Sequence, residues 1–151
     1  MKSLIAKSLA TGAFAVAAIA GTTMPASAAT TGEVGVQEAG CPSSGYPTPG
    51  MPMGSCTSLT NGAVFHGKYH PDATHTRTYT SYTKTGGSTV SAKLGYIYKG
   101  AYKWSAYYSI ASGTTKRVTW DTIDYDFYCD STIGVMSVSG GSTYQTPVTH
   151  C

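Results

Sequence analysis

Over residues 89–110 apolar and polar side chains alternate almost without a break. Val90, Ala92, Leu94, Tyr96 and Tyr98 alternate with polar or small residues, and beyond Gly100 the residues Tyr102, Trp104, Ala106, Tyr108 and Ile110 do the same. A period of two marks a strand with one buried face, so both halves are predicted strands joined by a turn. A two-residue turn at Gly100 and Ala101 would set Lys99 against Tyr102 and send the two apolar faces to opposite sides of the sheet. A three-residue loop over residues 99–101 sets Tyr98 against Tyr102 and Tyr96 against Trp104. Burial therefore selects the longer loop.

Other segments repeat the period. Residues 59–65 hold Asn61-Gly62, a strong two-residue hairpin signal, between apolar flanks. Residues 74–84 are β-branched and aromatic with little apolar character, which predicts an exposed or edge strand. Residues 116–120 follow Gly113, and then Ile123, Tyr125, Phe127 and Cys129 alternate with Asp124, Asp126, Tyr128 and Asp130, an amphipathic strand with an acidic outer face. Residues 133–138 and 143–149 flank Gly140-Gly141. Eight or nine short strands without helical periodicity predict an all-β fold, a small antiparallel β-sandwich, with a small β-barrel as the alternative.

The N-terminus has a different pattern. Lys2 and Lys7 precede an apolar run over residues 9–20, too short to span a bilayer, and Pro25 and Ala26-Ser27-Ala28 follow. This is the layout of a secretory signal peptide over residues 1–28, and it predicts a secreted chain with no membrane anchor. Residues 29–40 hold only Val34 and Val36 as β-branched apolar residues and predict a flexible N-terminal arm able to order on a partner. Residues 41–151 form the single predicted domain. All four cysteines, Cys41, Cys56, Cys129 and Cys151, lie in it, and in an exported chain they predict two disulfides. Three pairings are open; short local loops favour Cys41 with Cys56 and Cys129 with Cys151. The run CPSSGYPTPGMPMGSC (residues 41–56) excludes helix and central strand and reads as a loop tied at both ends.

Charge narrows the function. The whole chain carries +3, but Lys2 and Lys7 leave with the leader, so eight basic residues face seven acidic ones. A net +1 gives no whole-chain argument for nucleic acid or membrane as partner. Beyond Glu38 there is no Glu, and a two-carboxylate mechanism would draw on Asp72 and the aspartates of residues 121–130. Asp124 and Asp126 read as a solvated sheet face, and the aspartate spacing lacks the Gly turn and terminal Glu of a calcium loop. His66 and His70 would share one helical face, but Gly67 and Pro71 oppose a helix. No C-x-x-C pair and no G-x-S-x-G elbow is present. The expectation is a protein that is not an enzyme and takes no metal or cofactor.

Twelve tyrosines remain, all beyond the leader. Tyr supplies rigid amphipathic contact area at small entropic cost, which favours recognition of protein or sugar. Tyr107 is predicted to point outward. Tyr46, Met51 and Met53 sit on the Cys-bounded loop with no obvious core to join. Together with Val34 and Val36 these are the candidate partner-binding residues.

Cys56-Thr57-Ser58-Leu59-Thr60-Asn61-Gly62, then Gly134-Val135-Met136, Tyr144-Gln145-Thr146-Pro147 and Cys151, resemble the small secreted adaptor subunits of actinobacterial umbrella-shaped toxin particles. The resemblance covers residues 56–151. It implies an adaptor joining a lectin-like subunit to a large toxin subunit, with the N-terminal arm docked on a partner and no catalytic residue. Two other classes stay open. One is a secreted amylase or protease inhibitor, although Lys103-Trp104-Ser105 departs from the Trp-Arg-Tyr triplet of small amylase inhibitors. The other is a carbohydrate-binding or cell-wall module using surface Tyr.

Overall fold

A computed structural model describes residues 40–151. The predicted leader and all of the predicted arm but Gly40, with Val34 and Val36, lie outside the described residues. Eight strands form: β1 (Gly54–Leu59), β2 (Gly62–Tyr69), β3 (Thr76–Lys84), β4 (Val90–Tyr98), β5 (Ala101–Ile110), β6 (Thr114–Thr122), β7 (Thr132–Val138) and β8 (Thr143–Thr149). They build two antiparallel four-stranded sheets, ordered β1-β2-β3-β6 and β5-β4-β7-β8. The sheets pack as an open sandwich and do not close into a barrel. Disulfides Cys41–Cys56 and Cys129–Cys151 take up all four cysteines, in the two local pairings.

Four local expectations are corrected. The first hairpin pairs Leu59 with Gly62, so its turn is Thr60-Asn61 and not Asn61-Gly62. Gly62 instead opens β2 at a φ of 150°, where an added Cβ would run into the Thr83 carbonyl of β3. Strand β3 is not an edge; it pairs with both β2 and β6. Two of its buried inward threonines have satisfied hydroxyls, Thr80 donating to the Gly95 carbonyl at 2.8 Å and Thr76 to the Tyr125 carbonyl at 3.0 Å. Hydropathy reads such a strand as exposed, while hydrogen bonding offsets its burial.

Residues 123–129 do not form a strand. Asp124 accepts the Asp126 N–H at 3.0 Å, a local bond that competes with ladder pairing, and a 3-10 turn follows at Asp126–Cys129. Phe127 is buried, whereas Ile123 stays 84% exposed.

The β4–β5 hairpin turns over two residues, with Tyr98 opposite Ala101. Lys99 and Gly100 both have positive φ, 48° and 79°, as the type I′ turn that suits strand twist requires. Tyr96 therefore opposes Lys103, and Gly95 opposes Trp104. A bulge then shifts the register: Ser105 and Ala106 stand against the single residue Leu94, and Ser105 Oγ accepts the Leu94 N–H at 3.0 Å. The alternation of β5 thus reverses in mid-strand. Tyr108 and Ile110 face the core, while Tyr102 and Trp104 face out.

The interior has two ends. At one, Val64, Tyr82, Ala92, Leu94, Ile110 and Met136 make an apolar cluster. At the other, His66 is fully buried among hydroxyls. Its Nδ1 lies 3.0 Å from Thr80 Oγ1 and its Nε2 lies 2.9 Å from Thr132 Oγ1, which in turn lies 2.7 Å from Thr149 Oγ1. Because Thr80 donates onward to the Gly95 carbonyl, it accepts from His66 Nδ1–H, and Nε2 accepts from Thr132. Burial pushes the His66 pKa down to about 3, so the ring is neutral. Gly134 faces it across the sheets, and an added Cβ there would overlap the imidazole, with Cγ only 2.7 Å away.

Candidate recognition faces

The hydroxyl chain that starts at Thr149 ends on the Gly95 carbonyl, and Gly95 is also the seat of Trp104. A Cβ at Gly95 would meet the Trp104 ring at 2.7 Å, so only glycine lets the indole approach the strand this closely. Tyr102 lies beside Trp104 with ring centroids 5.5 Å apart and planes within 11°. The Lys93 ammonium sits 4.5 Å from the Trp104 ring centre and 5.5 Å from that of Tyr107, its partner across the ladder. Cation–π contacts of this kind hold the lysine chain over the rings. Tyr102 and Tyr107 remain 52% and 51% exposed.

This aromatic–lysine set occupies the outer face of the second sheet. Ser137, Thr143 and Gln145 of β7 and β8 border a shallow open depression of about 400 Å³ beside Lys93, Tyr102 and Trp104. Among the described residues no acidic side chain lies on this face: its register positions are Ser91, Lys93, Gly95 and Ile97 on β4, and Ile133, Val135 and Ser137 on β7.

The β1–β2 part of the first sheet's outer face is covered. Cys56, Ala63 and Phe65 are buried there and packed with Cys41. Residues 41–53 fold over them, held by the Cys56 N–H bonded to the Gly45 carbonyl at 2.7 Å and by the Lys68 N–H bonded to the Met53 carbonyl at 3.2 Å. The same loop reaches β8, where Tyr46 Oη donates to the Val148 carbonyl at 3.1 Å and the His150 N–H donates to the Pro52 carbonyl at 3.2 Å. The loop thus does join a core, a small one of its own making, and Tyr46 is half-buried in a structural bond. Met53 is half-buried, and Met51, 52% exposed, lines with it a cleft of about 220 Å³ that also reaches Phe65, Tyr79 and Tyr128.

The sequence candidates are therefore not brought together. Met51 and Met53 lie on the loop that is bonded to β8, whereas Tyr107 lies on β5, the opposite edge of that sheet. Tyr102, Trp104 and Lys93 escaped sequence reasoning because uninterrupted alternation turns both rings inward. The signal that finds them is Gly95 inside an apolar alternation, opposite Trp104 and next to the bulge that sets Leu94 against the small pair Ser105-Ala106.

The titratable groups serve the scaffold. The His70 ring stacks on Tyr125 at 3.7 Å and 4° and packs on Tyr128 at 4.3 Å, while its Nδ1 donates to the His75 carbonyl at 3.2 Å. His66, in the interior, does not converge with it. Asp72 accepts the Thr74 and His75 N–H groups and bonds His75 Nδ1 at 2.8 Å; the Thr74 amide foremost holds its carboxyl well below the usual range. Lys68 is drawn into the interior, where it donates to the Asp130 carbonyl; burial pushes its pKa down to about 8 against the pull of Asp130. Tyr98 Oη donates to Asp130 Oδ2 at 2.5 Å. Among the described residues no three His, Cys, Asp or Glu side chains gather as a metal site, and no helix is long and apolar enough to cross a membrane.

Comparison with protein-family models, with curated proteins and with solved structures yields no match.

Proposed function

We propose that this chain is a secreted, non-catalytic adaptor that binds other extracellular proteins. The observation that carries the reading is the pair of separate exposed patches held at opposite edges of one rigid sandwich. One is the methionine-bearing loop fastened by Cys41–Cys56; the other is the aromatic–lysine face of the second sheet. Two disulfides belong to the chemistry of an oxidising compartment and support export. A bridging role needs two surfaces that do not compete, and here one sheet and the sandwich separate them. The resemblance to toxin-particle adaptors gives the finer form of the reading: a subunit of an extracellular antibacterial assembly, set between a lectin-like and a large toxin subunit.

The test is recovery of a tagged chain from culture fluid. Larger secreted chains are expected to co-purify with it, removal of residues 29–40 to abolish this, and Met51→Asp to weaken it. Recovery of the tagged protein as a lone monomer contradicts the adaptor reading.

A further inference from the structure

We infer that the aromatic–lysine face of the second sheet binds a carboxylate-bearing saccharide of the uronic-acid class. The inference rests on the reading of that face as a working surface, and it names the ligand chemistry there. A sugar ring presents an apolar C–H face and a rim of hydroxyls, so its receptor needs flat apolar area beside short polar groups. Both are present. Tyr102, stacked on Trp104, remains 52% exposed, and the Ser137 and Thr143 hydroxyls, joined at 3.2 Å, border the same depression with the Gln145 amide.

The charge selects the class of sugar. Lys93 is the one charged side chain in the lining of the depression. Among the described residues the ion pairs are His75 with Asp72 and Arg77 with Asp121, so the Lys93 ammonium has no carboxylate partner. It rests on two ring faces, positioned over the platform and open to an anion from solvent. A hexuronate set against Tyr102 in this depression would bring its carboxylate towards this ammonium, an ionic bond that a neutral sugar lacks. The rings are also in place before any ligand arrives: Gly95 seats the indole, and the Ser105 hydroxyl bonds the Leu94 N–H at the bulge beneath it. Little ordering is left for the ligand to impose.

The test is calorimetric titration of the disulfide-bonded chain with three probes: a galacturonate hexasaccharide, its fully methyl-esterified form and hexaglutamate. The acidic sugar is expected to bind at least tenfold more tightly than the ester, and hexaglutamate not to compete with it. Tyr102→Ala is expected to weaken both sugars at least tenfold, and Lys93→Gln to abolish only the preference for the acid. The inference is overturned by absence of binding to the hexagalacturonate, by equal binding of the acid and its ester, by equal binding of hexaglutamate, or by affinities that Tyr102→Ala leaves unchanged. Trp104→Ala serves as a second variant, read only where its thermal melt matches that of the parent chain. A chain that binds the sugar yet is recovered without protein partners loses the adaptor reading alone. One that co-purifies with partners yet ignores the sugar loses this inference alone.

Discussion

The two outer faces of the sandwich are built from similar strands and end up opposite in character. On the first sheet, Cys56, Ala63 and Phe65 are roofed by residues 41–53 and a disulfide, and their apolar area is buried. On the second, Tyr102, Trp104 and Tyr107 have no such roof among the described residues; Lys93 lies across Trp104 and Tyr107. Apolar side chains that a chain covers with its own loop contribute stability. Those it leaves in water, held in place by a bulge and a glycine, stabilise little and are available for contact. The difference separates the structural face from the recognition face, and substitutions on the two should divide accordingly.

The largest expected effect arises between the faces, at His66. Its folded pKa, about 3, lies below the unfolded value of about 6.5, so the unfolded chain binds a proton over that window and the folded chain does not. The stability that depends on neutral His66 is complete above pH 6.5 and is lost as pH falls towards 3, by roughly 4–5 kcal/mol in the limit. Chemical denaturation between pH 6.5 and 4.5 should show the slope in the parent chain, and His66→Gln should flatten it.

Next comes the roof. Replacing Cys41 and Cys56 together by serine opens a loop whose ends are 15 residues apart, with an expected cost of about 3 kcal/mol. The melting temperature should fall, and binding of a hydrophobic dye should rise as Phe65 is uncovered. On the other sheet, Gly95→Ala should cost about 2 kcal/mol, because the new methyl meets both the Lys103 carbonyl and the indole. It should also shift Trp104 fluorescence, since the ring must lift from its seat. The smallest effect belongs to the exposed rings: Tyr102→Ala with Tyr107→Ala should change stability by less than about 0.5 kcal/mol for each residue. A destabilisation as large as that of the opened disulfide would make this face structural and dissolve the comparison.

Strand existence was legible in the chain because one buried face imposes a period of two, as along β4, and the turn glycines at 87, 100, 113 and 140 mark the corners. The cysteine pairing followed from proximity in sequence. What failed has a common cause: polar side chains doing work that hydropathy does not see. Thr76, Thr78 and Thr80 read as solvent-facing, yet all three are buried in a central strand, and the Thr78 hydroxyl has no partner among the described residues. Asp124 reads as the polar phase of a strand, yet it caps a turn. Ser105 reads as one more outward residue, yet its hydroxyl stands in for a backbone carbonyl and reverses the phase of β5. That reversal kept Trp104 and Tyr102 out of the predicted contact set, while Tyr107 entered it from its outward position alone. Met51 and Met53 read as apolar residues with no core to join, yet their loop makes its own core.

The most direct test of the division between the faces is a paired reading of the Tyr102→Ala, Tyr107→Ala double variant. Its melting temperature and its binding to the ligand or secreted partner recovered with the parent chain are measured on the same sample. An unchanged melt with binding reduced at least tenfold is the predicted result. Binding equal to that of the parent chain in a folded double variant would contradict the assignment of this face to recognition.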